Sequence, residues 1–440
     1  MNNKKWMAIL LGGIMAASLA APCSVSAAEK TTLTFWHAMG GTNGEVLQQI
    51  VDDFNASQDE IEIKAEYQGT YDDTITKLKA AMQSDSGLPD VCQMYDVGTK
   101  FMYDSGAVIP VEDKFESTGY DKSSVMEVIS SYYTVDGKQY AMPFNVSTPM
   151  LYYNKDVFEA AGLDPETPPT TYDEVLEDAK KIVDSGAAPV GYSQAIYGWF
   201  FEQQLAGLGV TYGNNDNGRK EAVTAVDFDS NGGGLKVFDM WKKLYDSGCF
   251  EDYGTTTADT QTAFFSGQVG MIIESTAILK NAVDSSPFEV GTGYLPRIEQ
   301  NDEGGVIIGG GSLWLTDTGN EANEDAGWKF IEYITTPDVQ AKWSMGTGYF
   351  AINEKAYETD DMKAYLKENP NFETAINQLK DSPVNCNTAG VLSGVQTEAR
   401  LTFNEIMPQV YDGKLTTQDA VDQLAASVNK AIENYNESIK

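Results

Sequence analysis

The chain has 440 residues, of which 42% are hydrophobic and 11% aromatic, and its formal net charge at pH 7 is −35. A chain of this length exceeds one ordinary hydrophobic core, so two lobes are expected. The acidic surface argues against nucleic acid and anionic lipid as partners, because both carry the same sign of charge.

The first 28 residues have the pattern of an export signal. Lys4 and Lys5 form a positive segment, residues 6–21 are apolar, and small residues at 25–28 suit cleavage. The apolar stretch is too short for a stable membrane span. We therefore predict a signal peptide over residues 1–28. A lipid anchor through Cys23 is the less favoured alternative, because a proline directly before the cysteine is unusual there.

The remaining cysteines are widely separated along the chain, at Cys92, Cys249 and Cys386. Their spacing matches neither a zinc site nor a redox motif, and an odd number leaves at least one thiol unpaired or bonded to another molecule. We expect scattered, buried cysteines.

After the signal, the chain alternates strands with helices. Strand patterns occur at 32–36, 61–65 and 90–94, and helical spacing of apolar residues occurs at 46–54 and 72–84. This β-α-β-α-β order predicts a mostly parallel sheet with helices on both faces.

A second set of elements begins near residue 141. Residues 151–153 and 270–273 have strand patterns, and a helix over 172–185 is predicted to start at the N-cap Thr171. Further elements are an apolar stretch at 306–308 that runs into three glycines and a strand at 313–315, helices near 322–335, 337–344 and 417–435, and a loop at 214–218. Two α/β lobes imply a ligand cleft between them.

Several segments resemble the glycerol-3-phosphate-binding branch of the bacterial extracellular solute-binding proteins (family 1), which serve ABC importers. They read FWHAM at 35–39, QMYDVGT at 93–99, PFNVSTP at 143–149, LYYNKD at 151–156, IIGGGSLW at 307–314 and TGY at 347–349. The resemblance implies an α/β, two-lobed periplasmic-binding-protein (Venus-flytrap) fold of class II type, in which each lobe is a mixed sheet flanked by helices.

The resemblance also implies the division of the chain and its role. Lobe one is expected over 29–142 with 304–344, and lobe two over 143–303 with 345–440, with crossings near Pro143, at 297–305 and near Gly346. The expected protein is a periplasmic monomer that hands its ligand to the permease subunits of an ABC importer, without a cofactor.

The resemblance further implies a set of ligand-binding residues, at Tyr71, Asp96, Ser147, Ser275, Gly310, Tyr349 and Arg400. Trp36, Trp199 and Trp314 are candidates for an aromatic floor of the cleft. Asp96 stands where the family commonly has glutamate, and Ile196 stands where this branch can carry another tryptophan.

These residue types suit a polyol phosphate. Arg400 offers a planar fork for two phosphate oxygens, and Ser147 and Ser275 add hydroxyl donors. Asp96 offers a carboxylate for two vicinal hydroxyls, and the backbone at Gly310 allows a close approach. We therefore predict glycerol-3-phosphate or a glycerophosphodiester such as glycerophosphocholine as the ligand.

Two other functions remain open at this point. A neutral oligosaccharide such as maltose fits the acidic residue, the tryptophans and the negative charge equally well. A secreted glycosidase or phosphodiesterase has little support, because His37 is the only histidine and no G-x-S-x-G motif occurs. We therefore expect neither an enzyme nor a metal site.

Overall fold

The computed structural model describes residues 30–84 and 87–439. The predicted signal peptide and Cys23 lie outside the described residues. Within the described ranges, no helix combines the length and apolar character needed to cross a membrane.

The strands follow one another along the chain as β1 (Thr31–His37), β2 (Ile61–Tyr67), β3 (Val91–Tyr95), β4 (Val108–Ile109), β5 (Thr134–Val135), β6 (Lys138–Gln139), β7 (Met142–Ser147), β8 (Pro149–Asn154), β9 (Val190–Ser193), β10 (Val269–Ser275), β11 (Val290–Gly293) and β12 (Gly309–Thr316).

The helices are α1 (Gly41–Ser57), α2 (Tyr71–Ser84), α3 (Thr99–Ser105), α4 (Glu112–Thr118), α5 (Glu127–Ser130), α6 (Lys155–Ala160), α7 (Tyr172–Ser185), α8 (Gly198–Gly207), α9 (Asn214–Gly218), α10 (Gly233–Tyr245), α11 (Thr257–Phe265), α12 (Leu279–Ser285), α13 (Glu321–Ile334), α14 (Pro337–Thr347), α15 (Asp360–Glu368), α16 (Asn371–Asp381), α17 (Gln396–Tyr411) and α18 (Thr417–Ser438). Short 3-10 turns occur at Asp96–Gly98, Lys122–Ser124, Ser131–Tyr133, Thr276–Ile278 and Glu354–Glu358.

The first lobe is built on a six-stranded mixed sheet in the order β2-β1-β3-β12-β4, with β7 also paired to β12. β1 runs parallel to β2 and β3, as the sequence predicted. β12 arrives from far along the chain and pairs antiparallel with β3, β4 and β7. Helix α13 packs against β1 and β12, and α1 packs against β2 and α14.

The second lobe is built on a four-stranded mixed sheet in the order β11-β8-β10-β9. Helix α7 packs on β9 and β10, while α8, α10, α17 and α18 pack together beside it. The predicted start of α7 is confirmed by a capping box, in which the Thr171 hydroxyl accepts from the Glu174 amide and the Glu174 carboxylate accepts from the Thr171 amide.

Two of the three predicted crossings between the lobes need correction. The chain leaves the first sheet at Ser147 and enters the second at Pro149, because residues from Met142 onwards pair with β12. The predicted crossing at Pro143 therefore falls inside a strand of the first sheet. The chain returns to the first sheet between β11 and β12, through residues 294–308. The third crossing lies well after Gly346. Helix α15 still packs against α14 of the first lobe, whereas α16 contacts β11 of the second sheet.

Residues 214–218, where the sequence predicts a loop, form α9, which is a single tight left-handed turn. Asn215, Asp216 and Asn217 have φ values of 56°, 55° and 58°, and short polar side chains tolerate this conformation best. The Asn217 side chain accepts from the amides of Tyr212 and Gly213, which fixes the turn.

The three cysteines in the described residues are free thiols. Cys92 and Cys249 are buried, as predicted, and Cys386 is half-buried. Burial raises the pKa of Cys92 to about 12.

Candidate functional site

Arg400 joins the two lobes through two carboxylates. Its Nη2 donates to Asp96 Oδ2 at 2.8 Å, and Asp96 directly follows β3 of the first sheet. Its Nε and Nη2 donate to Glu202 Oε1 and Oε2 at 2.8 and 2.7 Å, from α8 of the second lobe. The exposed fractions of Asp96, Glu202 and Arg400 are 4%, 6% and 8%. We call these three residues the Arg400 cluster.

The charges of the Arg400 cluster stabilise one another. Burial by itself lowers the pKa of Arg400, but Asp96 and Glu202 outweigh burial and hold the pKa well above its usual range. Burial raises the pKa of Glu202, and Arg400 opposes that shift. A buried ion group of this kind is stable only while all its charges remain paired.

Glycine at the start of α8 brings Glu202 and Arg400 together. A Cβ on Gly198 would lie 2.5 Å from Arg400 Cα, so only glycine lets α8 and α17 approach this closely. Glu202 lies four residues after Gly198 and therefore faces the same neighbouring helix.

Beside the Arg400 cluster lies a hydrogen-bonded group of side chains around Tyr71. Asn145 Nδ2 donates to the Tyr71 hydroxyl at 2.6 Å, and Gln93 Nε2 donates to Asn145 Oδ1 at 2.6 Å. The Tyr71 and Tyr349 hydroxyls also bond to each other, and Tyr71 stacks on Tyr95 with ring centroids 5.1 Å apart. Burial raises the pKa of both Tyr71 and Tyr349, so both phenols stay neutral donors.

The glycines at the start of β12 make the closest contacts in the site. Gly310 has a φ of 93°, and a Cβ there would lie 1.8 Å from the Asn145 carbonyl oxygen. A Cβ on Gly309 would lie 2.7 Å from Trp199 Cζ2. The pairing of β12 with β7 shifts register between Gly311 and Ser312, which is the bulge that these glycines permit.

Trp199 presents a free donor beside these glycines. Its side chain is buried, and among the described residues its indole Nε1 has no hydrogen-bond partner. Buried donors are nearly always paired, so the indole N–H of Trp199 has an unused capacity to donate a hydrogen bond.

The two predicted serines lie at strand ends near the crossing. Ser147 ends β7 opposite Gly309 and is buried. Ser275 ends β10, and its hydroxyl accepts from the Ala277 amide at 3.1 Å, which caps the turn that follows. The Ser275 hydroxyl therefore already has a local role in the fold.

Two of the predicted tryptophans lie elsewhere, which corrects the prediction of an aromatic floor for them. Trp36 is half-buried, and its Nε1 donates to Glu66 on the neighbouring strand at 3.0 Å. Trp314 is fully buried inside β12 and donates to Ser312 Oγ at 2.9 Å. Each side chain points where its register in the sheet places it, and neither contacts the Arg400 cluster.

Sequence reasoning missed Glu202 and Asn145. Glu202 is the one charged residue in a buried helix that is otherwise apolar or uncharged, and Asn145 interrupts a buried strand. Polar residues at such positions need hydrogen-bond partners, so the sequence pattern could have indicated that both residues have a buried polar partner.

Two further contacts hold the lobes together beside the site. The hydroxyls of Tyr95 and Thr397 lie 2.8 Å apart, and Tyr435 donates to Asp104 Oδ2 at 2.7 Å. Asp104 is also paired with Lys100. The structure is therefore a closed arrangement of the two lobes.

A separate cavity of about 540 Å³ lies along the segment that joins β11 to β12. Pro168, Gln204, Tyr294, Arg297 and Gln378 are among the residues that line it. None of the predicted binding residues contributes to this cavity.

Two mixed α/β lobes, with hydrogen-bonding side chains of both converging on one buried site, define the class of two-lobed binding proteins. The family described as "Bacterial extracellular solute-binding protein" matches residues 49–374. The chain belongs to this family of bacterial extracellular solute-binding proteins.

Individual relatives agree with this assignment. The chain is 31% identical over 417 residues to the sn-glycerol-3-phosphate-binding periplasmic protein UgpB of Escherichia coli (strain K12), covering 93% of this chain and 94% of the relative. The cyclic alpha-maltosyl-1,6-maltose binding protein of Arthrobacter globiformis superposes with a TM-score of 0.77 at 26% identity, covering 92% of this chain and 100% of that one. UgpB of Mycobacterium tuberculosis in complex with glycerophosphocholine gives a TM-score of 0.79 at 20% identity, covering 92% and 99%. These matches confirm the predicted two-lobed fold.

Proposed function

We propose that this protein captures glycerol-3-phosphate or a glycerophosphodiester such as glycerophosphocholine and delivers it to the permease of an ABC importer. The family supports the role of solute binding. The relative of 31% identity that binds sn-glycerol-3-phosphate supports this class of ligand.

The observation that carries the proposal is a guanidinium buried between the lobes. Arg400 is 8% exposed and reaches Asp96 across the site. A phosphate out of bulk water needs several donors at once. Trp199 Nε1 and the phenol groups of Tyr71 and Tyr349 lie near Arg400 and supply such donors.

The residues take complementary parts in this proposal. Arg400, the Gly310 amide and the hydroxyls of Ser147 and Ser275 would hold the phosphate. Asp96 and Tyr71 would hold the glycerol hydroxyls, with Tyr349 completing that side. Trp199 would cover the ligand with its ring and donate its indole N–H.

Closure of the lobes would couple binding to transport. Each crossing segment acts as part of a hinge, and a ligand held from both sides favours the closed form by its better contacts there. The contacts from Tyr95 to Thr397 and from Asp104 to Tyr435 would form in that closed state.

The remaining expectations also belong to this proposal. Residues 1–28 would direct export and be removed, which places the mature chain in the periplasm. The protein would act as a monomer that binds its ligand without converting it.

A neutral oligosaccharide remains the second candidate, because two carboxylates already engage Arg400. A site with its arginine balanced in this way also suits a polyhydroxyl ligand without charge. The structural neighbour of 26% identity binds cyclic alpha-maltosyl-1,6-maltose.

Isothermal titration of residues 29–440 with glycerol-3-phosphate, glycerophosphocholine and maltose separates the two candidates. We expect a phosphate ligand to bind and maltose to give no heat. Arg400→Ala should weaken phosphate binding by at least ~2 kcal/mol, because a charge partner is lost. Arg297→Ala removes the same charge at an exposed position and should leave the affinity unchanged. Maltose binding with both phosphates silent would overturn the glycerophosphate proposal.

A further inference from the structure

Glu202 places a second carboxylate against the one arginine of the site. It is the one charged residue in α8, and its side chain is buried. Asp96 already supplies a carboxylate from the other lobe, at 2.8 Å from the same guanidinium. The role expected for Asp96, as an acceptor for ligand hydroxyls, does not require Glu202.

Glu202 binds Arg400 as a phosphate would. Its two oxygens accept from Nε and Nη2 at 2.8 and 2.7 Å, which is the side-on arrangement that a guanidinium offers to any two-oxygen anion. Asp96 accepts from Nη2 as well, and Gln396 Nε2 donates to Glu202 at 3.0 Å. Among the described residues, Nη1 donates to no protein atom, so this side of the fork remains for a ligand.

The charge of the site then discriminates between phosphates. Two carboxylates against one guanidinium leave the Arg400 cluster with an excess of negative charge. A phosphomonoester carries close to two negative charges at neutral pH, because its second pKa is about 6, whereas a phosphodiester carries one. Charges buried away from water are screened little, so the second negative charge adds repulsion that the diester avoids.

We propose that Glu202 is a specificity-determining residue that makes the site accept phosphodiesters and disfavour phosphomonoesters. The proposal rests on the proposed function and names which ester of that ligand class is taken. Glu202 acts by occupying one edge of Arg400 and by its negative charge. Loss of the charge should therefore open the site to the dianion.

The test is isothermal titration at about pH 8, where a monoester is a dianion. The ligands are glycerol-3-phosphate, glycerophosphoglycerol and glycerophosphocholine, and the second is a diester without a cationic group. Wild type should bind both diesters at least about tenfold more tightly than the monoester. Glu202→Gln should strengthen monoester binding by about tenfold or more and change diester binding by less than about threefold.

Two further variants separate charge from structure. Glu202→Asp keeps the negative charge and should keep the preference for diesters. Asp302→Asn removes a buried carboxylate in the segment between β11 and β12, and it should also keep the wild-type preference. Far-ultraviolet circular dichroism and a single unfolding transition establish that each variant is folded before titration.

The outcomes distinguish this proposal from the proposed function. If wild type binds phosphate esters but Glu202→Gln leaves the monoester-to-diester ratio unchanged, the role of Glu202 is wrong and the proposed function stands. If neither wild type nor Glu202→Gln binds any phosphate ester, both are overturned. If only Glu202→Gln binds the monoester, the role of Glu202 is supported.

Discussion

Two arginines connect the lobes, and both their burial and their partners differ: Arg400 is buried, whereas Arg219 is half-buried. Arg400 is paired with the carboxylates of Asp96 and Glu202. Arg219 instead donates to backbone carbonyls, to Gly390 at 3.1 Å, to Tyr132 at 2.9 Å and to Ala389. We call Arg219 with these three carbonyls the Arg219 strap.

This difference in partners shifts the pKa values of the two arginines in opposite directions. Burial lowers the pKa of Arg219 to about 10, because its partners are dipoles and not charges. The carboxylates beside Arg400 outweigh burial and raise its pKa. A half-buried arginine bonded to carbonyls therefore stabilises the fold, whereas a buried arginine paired with carboxylates contributes to the charge of the site it faces.

Arg400→Met should have the largest effect on stability, because it leaves Asp96 and Glu202 buried together without a cation. Losing one partner of a buried ion group lowers the free energy of unfolding by about 3–5 kcal/mol. Burial already raises the pKa of Glu202, and without Arg400 that pKa rises further. A carboxyl whose folded pKa is raised contributes most stability at acid pH and loses it as pH increases.

The deficit of Arg400→Met relative to wild type should therefore shrink between about pH 8 and about pH 5. Urea unfolding at both pH values measures it. An equal loss of unfolding free energy at the two pH values would show that the carboxylates are not left charged. Arg400 and Arg219 would then not differ in the way their partners respond to pH.

Arg219→Met should lower the free energy of unfolding by about 2–3 kcal/mol, because three carbonyls lose a charged donor. Carbonyls do not titrate, so urea unfolding should give the same deficit at about pH 8 and about pH 5. A deficit that varies with pH would mean that an ionised partner of Arg219 exists.

The contact between the Tyr132 ring and Arg219 should contribute less to stability than the hydrogen bonds of Arg219 to the three carbonyls. The Arg219 guanidinium lies 5.4 Å from the centre of the Tyr132 ring, an arrangement that contributes about 1 kcal/mol. A double-mutant cycle with Tyr132→Leu and Arg219→Met isolates this coupling from the packing lost with the ring. Tyr132→Phe keeps the aromatic ring and should therefore keep the coupling energy. A coupling energy near zero would mean that the Tyr132 ring does not stabilise the Arg219 guanidinium.

Arg297→Ala should have the smallest effect. Its side chain is exposed, and its backbone bonds to Thr170 and Tyr172 do not depend on it. We expect a change in unfolding free energy within about 0.5 kcal/mol. A larger loss in thermal or urea unfolding would mean that charge removal alone destabilises this chain, and the deficits of the Arg400 and Arg219 variants would both have to be corrected for it.

The fold was predictable where local patterns decide it. Alternation placed β1, β2 and β3, and the N-cap Thr171 placed the start of α7. The crossing after β7 was misplaced, because pairing with β12 extends that strand across Pro143. A partner so distant in the chain leaves no local signal.

The candidate site was predictable only through the resemblance to the family, position by position. Asp96, Tyr71 and Arg400 were named from the sequence, and the structure brings them into one group of contacts. Trp36 and Trp314 were named for their ring alone, and the register of each strand sends the ring elsewhere. Glu202 was missed, although an acid in an apolar helix indicates that it needs a partner; the sequence does not indicate that the partner is Arg400.

The thiols provide a handle for chemical labelling. Cys92 and Cys249 are buried, and a pKa of about 12 leaves Cys92 almost no thiolate to react. Cys386 lies half-buried in the loop that leads to Ala389, and its carbonyl accepts from Asn217 Nδ2. Burial raises the pKa of the Cys386 thiol as well, so labelling requires an alkaline pH. A dye attached there at mildly alkaline pH would sit beside the Arg219 strap. The fluorescence of that dye would report changes at the Arg219 strap without an engineered cysteine.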